Sequence, residues 1–180
     1  MNVFVVGSGR CGTVTFSSAC KHIVGFSSSH ETRTDDMLRR FKFPNYHIEV
    51  DNRLSWFIPR LAAMYPDAMF VHILRNKRSV VDSFASRAET SEALQSFRLG
   101  PLRKTGTWKQ VAILYVETVL ATINSAMETI PNTCMWLDIE TCYARDWDKF
   151  TDALGVERCT KGRDEFLTMQ NKMGLVRKAR

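Results

Sequence analysis

The chain has 180 residues, 44% of them hydrophobic, enough for one domain with a real core and too few for two of ordinary size. Lys and Arg outnumber Asp and Glu by 25 to 19, a net charge of +6 that calls for an anionic partner: a phosphorylated cofactor, a nucleic acid or a membrane surface. The charged fraction of 24% carries no compositional bias, which excludes a disordered or low-complexity chain, so 1–180 reads as a single domain.

Taken in order, Val3 to Val6 is a continuous β-branched and aromatic run that stops at Gly7, the pattern of a buried central strand before a tight turn. Residues 13–23 have helical length and end before Gly25. A short helix is expected over 35–41, a strand over 46–50, and a helix over 54–64 with Leu54, Phe57, Ile58, Leu61 and Ala62 on one face. Residues 69–74 form a second apolar strand and 79–86 a helix, so the strand–helix rhythm of a parallel sheet repeats, with helices on both faces. Polar residues 88–106, with Gly100 and Pro101, read as a mobile loop or lid. A long helix over 108–130, a strand over 133–137 and helices over 147–154 and 163–170 complete the chain, and the basic tail over 172–180 reads as solvated charge.

The five cysteines are odd in number and lack C-x-x-C spacing, which argues for neither a zinc site nor a disulfide framework and fits a reducing compartment. The N-terminus lacks a basic n-region and a cleavage pattern. No apolar window is expected to approach the roughly 20 residues that cross a bilayer. A cytoplasmic protein without membrane attachment is the expectation.

Chemistry first shows in Gly7-Ser8-Gly9-Arg10-Cys11-Gly12-Thr13, between a predicted strand and a predicted helix. There backbone N–H groups and a helix N-terminus can hold an anion, Arg10 adds a forked donor and Thr13 a hydroxyl. A nucleoside triphosphate loop would read G-x-x-x-x-G-K-[ST], whereas Gly12 is followed by Thr13 and Val14, so the lysine and the magnesium-binding hydroxyl are missing. A nucleotide or small-molecule kinase on the same fold is the alternative this weakens. A nucleic-acid-binding module is a further alternative, and no nucleic-acid motif accompanies the charge.

Arg10-Cys11-Gly12-Thr13-Val14 resembles the 5′-phosphosulfate loop of the sulfotransferase superfamily, which commonly runs Arg-Ser-Gly-Thr-Thr after a strand. Cys11 stands where a Ser or Thr is usual and Val14 where a second hydroxyl is usual. A longer likeness begins at Tyr65-Pro66-Asp67-Ala68 and continues through the strand to Arg75-Asn76-Lys77-Arg78 and Ser83, resembling the family's Pro-Asp-Ala-strand-Arg-Asp-Pro-Arg-x-x-x-x-Ser segment. Lys77 departs from the usual proline.

The resemblance implies a three-layer α/β fold with a P-loop NTPase-like parallel sheet. It also implies 3′-phosphoadenosine 5′-phosphosulfate (PAPS) as co-substrate, no metal, and transfer of a sulfuryl group to a hydroxyl or amine. Gly9, Arg10, Cys11, Gly12, Thr13 and Val14 would hold the phosphosulfate, and Arg75 with Ser83 the 3′-phosphate. Glu31, in Ser29-His30-Glu31-Thr32-Arg33, is similar in residue and spacing to the base of tyrosylprotein sulfotransferases, with Arg10 beside it for charge stabilisation. Asp51 is the second candidate base and equally a cap for the following helix, His30 is a third candidate, and Arg53 stands in for a lysine that relatives use on the leaving phosphate. His72, inside an apolar strand, reads as a satisfied core histidine. The acceptor is a small molecule, a glycan or a peptide, in a pocket left open or completed by a partner subunit in a homo-oligomer.

Overall fold

The computed structural model describes residues 1–141 and 144–172. Cys142 and residues 173–180 of the basic tail lie outside the described residues. The elements follow as β1 (Val3–Val6), α1 (Thr13–Cys20), β2 (Ser27–His30), β3 (His47–Val50), a 3-10 helix (Asn52–Phe57), α2 (Ile58–Met64), β4 (Met69–Leu74), α3 (Lys77–Ala85), a 3-10 turn (Ala88–Thr90), α4 (Glu92–Leu99), α5 (Trp108–Thr129), β5 (Cys134–Asp138), α6 (Ala144–Leu154) and α7 (Thr160–Lys172).

The five strands form one sheet in the order β2-β3-β1-β4-β5, with all neighbouring pairs parallel. Parallel strands need covered faces, and side-chain alternation supplies two cores. Val3 and Val5 of β1, Ile48 and Val50 of β3, and Met69, Val71 and Ile73 of β4 pack with Phe16 of α1, Trp147 and Phe150 of α6 and Phe166 of α7. Phe4, Val6 and Phe70 face the other way, against Leu54, Ile58 and Leu61 and the long helix α5 through Val111, Val116, Val119 and Ile123. The result is a three-layer α/β fold.

The long apolar elements lie where the pattern puts them, and the departures have local causes. Residues 35–41 form turns in place of a helix, with the Asp36 carboxylate accepting from the Arg39 N–H at 3.0 Å. The helix expected over 54–64 is split, because Pro59 opens an α-helix well but cannot donate within one. Its preceding turn is 3-10, which rotates Phe57 off the shared face to 39% exposure. The polar stretch 88–106 contains α4, capped by Ser91 whose hydroxyl accepts from the Leu94 N–H, so much of the expected lid is helix. β2 is an additional strand.

One further expectation is corrected. By length and composition α5 is long and apolar enough to cross a membrane, although its stripe from Val111 to Met127 is buried against the sheet.

Candidate functional site

The order of the strands reverses at β1, which has β3 on one side and β4 on the other, and the loop after β1 therefore opens into a crevice at the carboxyl edge of the sheet. Ser55 locks the start of that loop, its hydroxyl donating to the Gly7 carbonyl at 3.0 Å and accepting from the Gly7 N–H at 3.3 Å. Gly9 has φ 81°, and a Cβ there would collide with the Asn52 side-chain amide and press on the Phe84 ring. Arg10 takes the left-handed region too, at φ 57°, a conformation that costs a non-glycine residue about 1 kcal/mol. Its exposed guanidinium is thereby swung over β4 and α3. Gly12 caps α1 without a side-chain acceptor, so the first-turn N–H groups of α1 face the loop.

Two segments far apart in sequence meet at Arg10. Its Nε donates to the Ser83 hydroxyl on α3 at 3.1 Å, and its carbonyl accepts from Arg75 Nη1 at 3.0 Å. Arg75 leaves the end of β4 and is also 3.5 Å from the Glu140 carboxylate. Partial burial lowers the Arg10 pKa, and repulsion from Arg87 and then Arg75 lowers it further. Three guanidinium groups crowded around one loop are the electrostatic signature of an anion site. The expected pair of Arg75 and Ser83 is thus brought together around Arg10.

Cys11 and Val14 contribute differently. The Cys11 thiol is turned into the α1 core, where burial pushes its pKa up to about 11 against the pull of the Gly9, Cys11 and Ser8 N–H groups. Val14 is exposed at the start of α1, and the Thr13 hydroxyl lies 3.1 Å from His30 Nε2.

On the other side of the crevice, Glu31 follows β2 with φ 50°, its N–H bonded to the Val50 carbonyl at 3.2 Å. Its carboxylate accepts from Arg53 Nη1 at 2.9 Å, while Arg53 Nη2 donates to Glu92 at 3.1 Å. Arg10, Glu31, Asn52, Arg53, Phe84 and Glu92 line one cavity of about 310 Å³. The candidate base and the loop arginine therefore share a chamber.

A buried network pins the Glu31 turn. Glu49 accepts from the Thr32 N–H at 3.0 Å, from the Thr32 hydroxyl at 3.0 Å and from the Ser29 hydroxyl at 2.5 Å, and it pairs with His47 at 3.0 Å. Burial pushes the Glu49 carboxyl up, but the bonds from His47, Ser29 and Thr32 outweigh it and hold the pKa at about 2. Asp51 is fully buried: one oxygen accepts from the Arg53 N–H at 2.7 Å, capping the 3-10 helix, and the other faces Arg40 at 2.7 Å. Both of its oxygens are engaged in holding the chain, as the capping alternative requires.

His72 is buried, as expected, but it is not satisfied. Neither ring nitrogen has a hydrogen-bond partner, and burial lowers its pKa to about 4.

Glu140, Arg87, Asn52 and Glu92 complete the site and carry no motif that marks them. Glu140 and Arg87 lie in turns, Asn52 opens the 3-10 helix and Glu92 opens α4, and only the fold makes them neighbours. Among the described residues, no group of three or more His, Cys, Asp or Glu is placed to hold a metal ion. No protein-family model matches the chain, and no curated protein matches it.

Proposed function

We propose that the chain is a sulfotransferase that moves the sulfuryl group of PAPS to a hydroxyl or amine acceptor. The observation that carries this reading is the meeting of Arg10, Ser83 and Arg75 at the switch point of the sheet, beside a cavity of about 310 Å³ that Arg10 lines together with Glu31 and Arg53. Arg75 and Ser83 hold the 3′-phosphate, the 9–14 loop and Arg10 the phosphosulfate. In the transfer the Glu31 carboxylate takes the acceptor proton, the acceptor oxygen or nitrogen bonds to sulfur, and the bond from sulfur to the phosphate oxygen breaks. Adenosine 3′,5′-bisphosphate leaves with the electron pair, its charge met by Arg10 and Arg53.

Calorimetry with adenosine 3′,5′-bisphosphate tests the reading. Wild type binds it, and Arg75→Ala weakens binding by about tenfold or more, the loss of one charge-assisted contact. Glu31→Gln retains nucleotide affinity and loses at least about 100-fold in turnover. Equal affinity in wild type and Arg75→Ala would remove Arg75 from the site. Stabilisation by ATP with magnesium in place of the bisphosphate would favour the kinase.

A further inference from the structure

The buried carboxylate of Glu49, which pins the Glu31 turn, is also the inner end of a line of groups that leads back along β2 to the surface. The parallel register sets Ser27 beside His47 and Ser29 beside Glu49, so all four side chains share one face of the sheet. The Ser27 hydroxyl lies 2.8 Å from His47 Nδ1, and His47 Nε2 lies 3.0 Å from Glu49 Oε2. A hydroxyl, an imidazole and a carboxylate are thus joined in order, each within hydrogen-bond reach of the next. Ser27 starts β2, four residues before Glu31, so the hydroxyl lies at the opposite end of the strand from the crevice.

The partners decide where the protons sit. Glu49 is fully buried and its carboxyl is held at about 2, so at neutral pH it is ionised and only accepts. Ser29 gives its O–H to Glu49 at 2.5 Å, which leaves its oxygen as an acceptor 2.9 Å from His47 Nε2. With two acceptors at Nε2, the neutral ring carries its proton there, and Nδ1 keeps a lone pair. That lone pair accepts the Ser27 O–H. Phe43 stacks on the ring, with 5.7 Å between centroids and 13° between planes, and holds its orientation. On the serine side, the Ser27 N–H donates to the Tyr46 carbonyl at 3.0 Å and fixes the backbone.

Access rises along the same line. The Glu49 side chain is fully buried, that of His47 is 9% exposed, and Ser27 is exposed. β2 is the edge of the five-stranded sheet, so no strand covers its outer side. A hydroxyl open to reagents, bonded to a shielded base that a third group orients, is the arrangement of an activated nucleophile, recognised by geometry and not by order in the sequence.

We propose that Ser27, His47 and Glu49 form a site that takes an acyl group from an activated ester, with Ser27 as nucleophile, His47 as its base and Glu49 as the group that orients the base. Ser27 Oγ bonds to the carbonyl carbon of the ester while its proton passes to His47 Nδ1. The bond from that carbon to the leaving oxygen then breaks, and the leaving alcohol takes the electron pair and the proton held by His47. Between the two transfers the ring is positively charged, and Glu49 meets that charge through the Nε2–H. The site is independent of the transferase function proposed above.

The probe is p-nitrophenyl dimethylcarbamate, an activated carbonyl compound whose carbamoyl group stays on the serine that attacks it. Peptide mass spectrometry of the treated full chain should find the dimethylcarbamoyl group on Ser27, with p-nitrophenol released. Ser86 and Ser96, exposed serines that bond to no histidine among the described residues, should remain unmodified. His47→Gln should slow the labelling of Ser27 at least about 100-fold, the loss of a general base. Wild type unfolded in urea should leave Ser27 unlabelled, a measurement that tests the geometry even where His47→Gln folds poorly. No adduct on Ser27 in the folded chain, labelling of Ser86 or Ser96 at the same rate, a Ser27 rate unchanged by unfolding, or a folded His47→Gln that labels as fast as wild type would each overturn the proposal.

Discussion

Against one face of the sheet, Phe16 meets Phe166 edge to face at 5.6 Å and Trp147 at 5.9 Å, and the neighbouring strand residues are Val, Ile and Met. The opposite face has its own aromatic group around Phe4, but there β3 and β4 also turn His47, Glu49 and His72 inward, all buried. Apolar packing gains by burial alone, whereas each buried polar group costs free energy until it is bonded. The difference separates two tasks. The α1 face supplies stability, and the α5 face spends part of its stability on polar groups that fix the turn carrying Glu31 or leave His72 unpartnered.

The largest break in that division would come from Phe16→Ala, which should cost about 4 kcal/mol of unfolding free energy through lost burial and a cavity. Urea denaturation measures it, and the bisphosphate affinity of the folded fraction should stay within about twofold. A large loss of affinity would show that the apolar face also shapes the site.

Next in size, Glu49→Gln should cost about 2 kcal/mol at pH 7, because Ser29, Thr32 and His47 lose a charged acceptor. The same substitution sharpens the comparison through pH. The carboxyl is held at about 2, below the value of about 4.3 in an unfolded chain. Its contribution is therefore complete above about pH 4.3 and is lost as the pH falls toward 2. Denaturation curves of Glu49→Gln should lack that limb.

The smallest effect at neutral pH belongs to His72→Leu, which should stabilise by about 1 kcal/mol by removing two unpartnered nitrogens. His72 titrates at about 4 when folded, below about 6.5 when unfolded, so wild-type stability is full above about pH 6.5 and declines toward pH 4. A variant that declines as steeply over that window would clear His72 of the effect.

What the sequence makes legible follows from where the forces act. β1 and β4 are continuous apolar runs, and β4 begins and ends at the residues expected, because burial on both faces leaves no polar alternation to misread. β2 is Ser-Ser-Ser-His and carries no strand signal; it is extended because β3 offers a parallel edge and because Ser27 and Ser29 bond to His47 across it. The first half of α4 was hidden in a polar stretch whose Gly100 and Pro101 mark only its end. For the site, Arg10, Glu31, Arg75 and Ser83 stand out by motif, and the structure draws them to one crevice. Glu140 and Glu92 do not stand out, since each acts on an arginine many residues away and nothing local fixes that pairing.

The seating of α7 on α1 has a consequence for how the chain is made. Gly162 allows the two helices to come close, since a Cβ there would lie 2.7 Å from both the Ala19 carbonyl and the Trp147 ring. Phe166 then closes over Phe16, 150 positions earlier in the chain. During synthesis the N-terminal helix therefore waits, with its aromatic ring uncovered, until nearly all of this sequence has left the ribosome. Such long-range closure slows folding and leaves a sticky intermediate exposed to chaperones and to self-association.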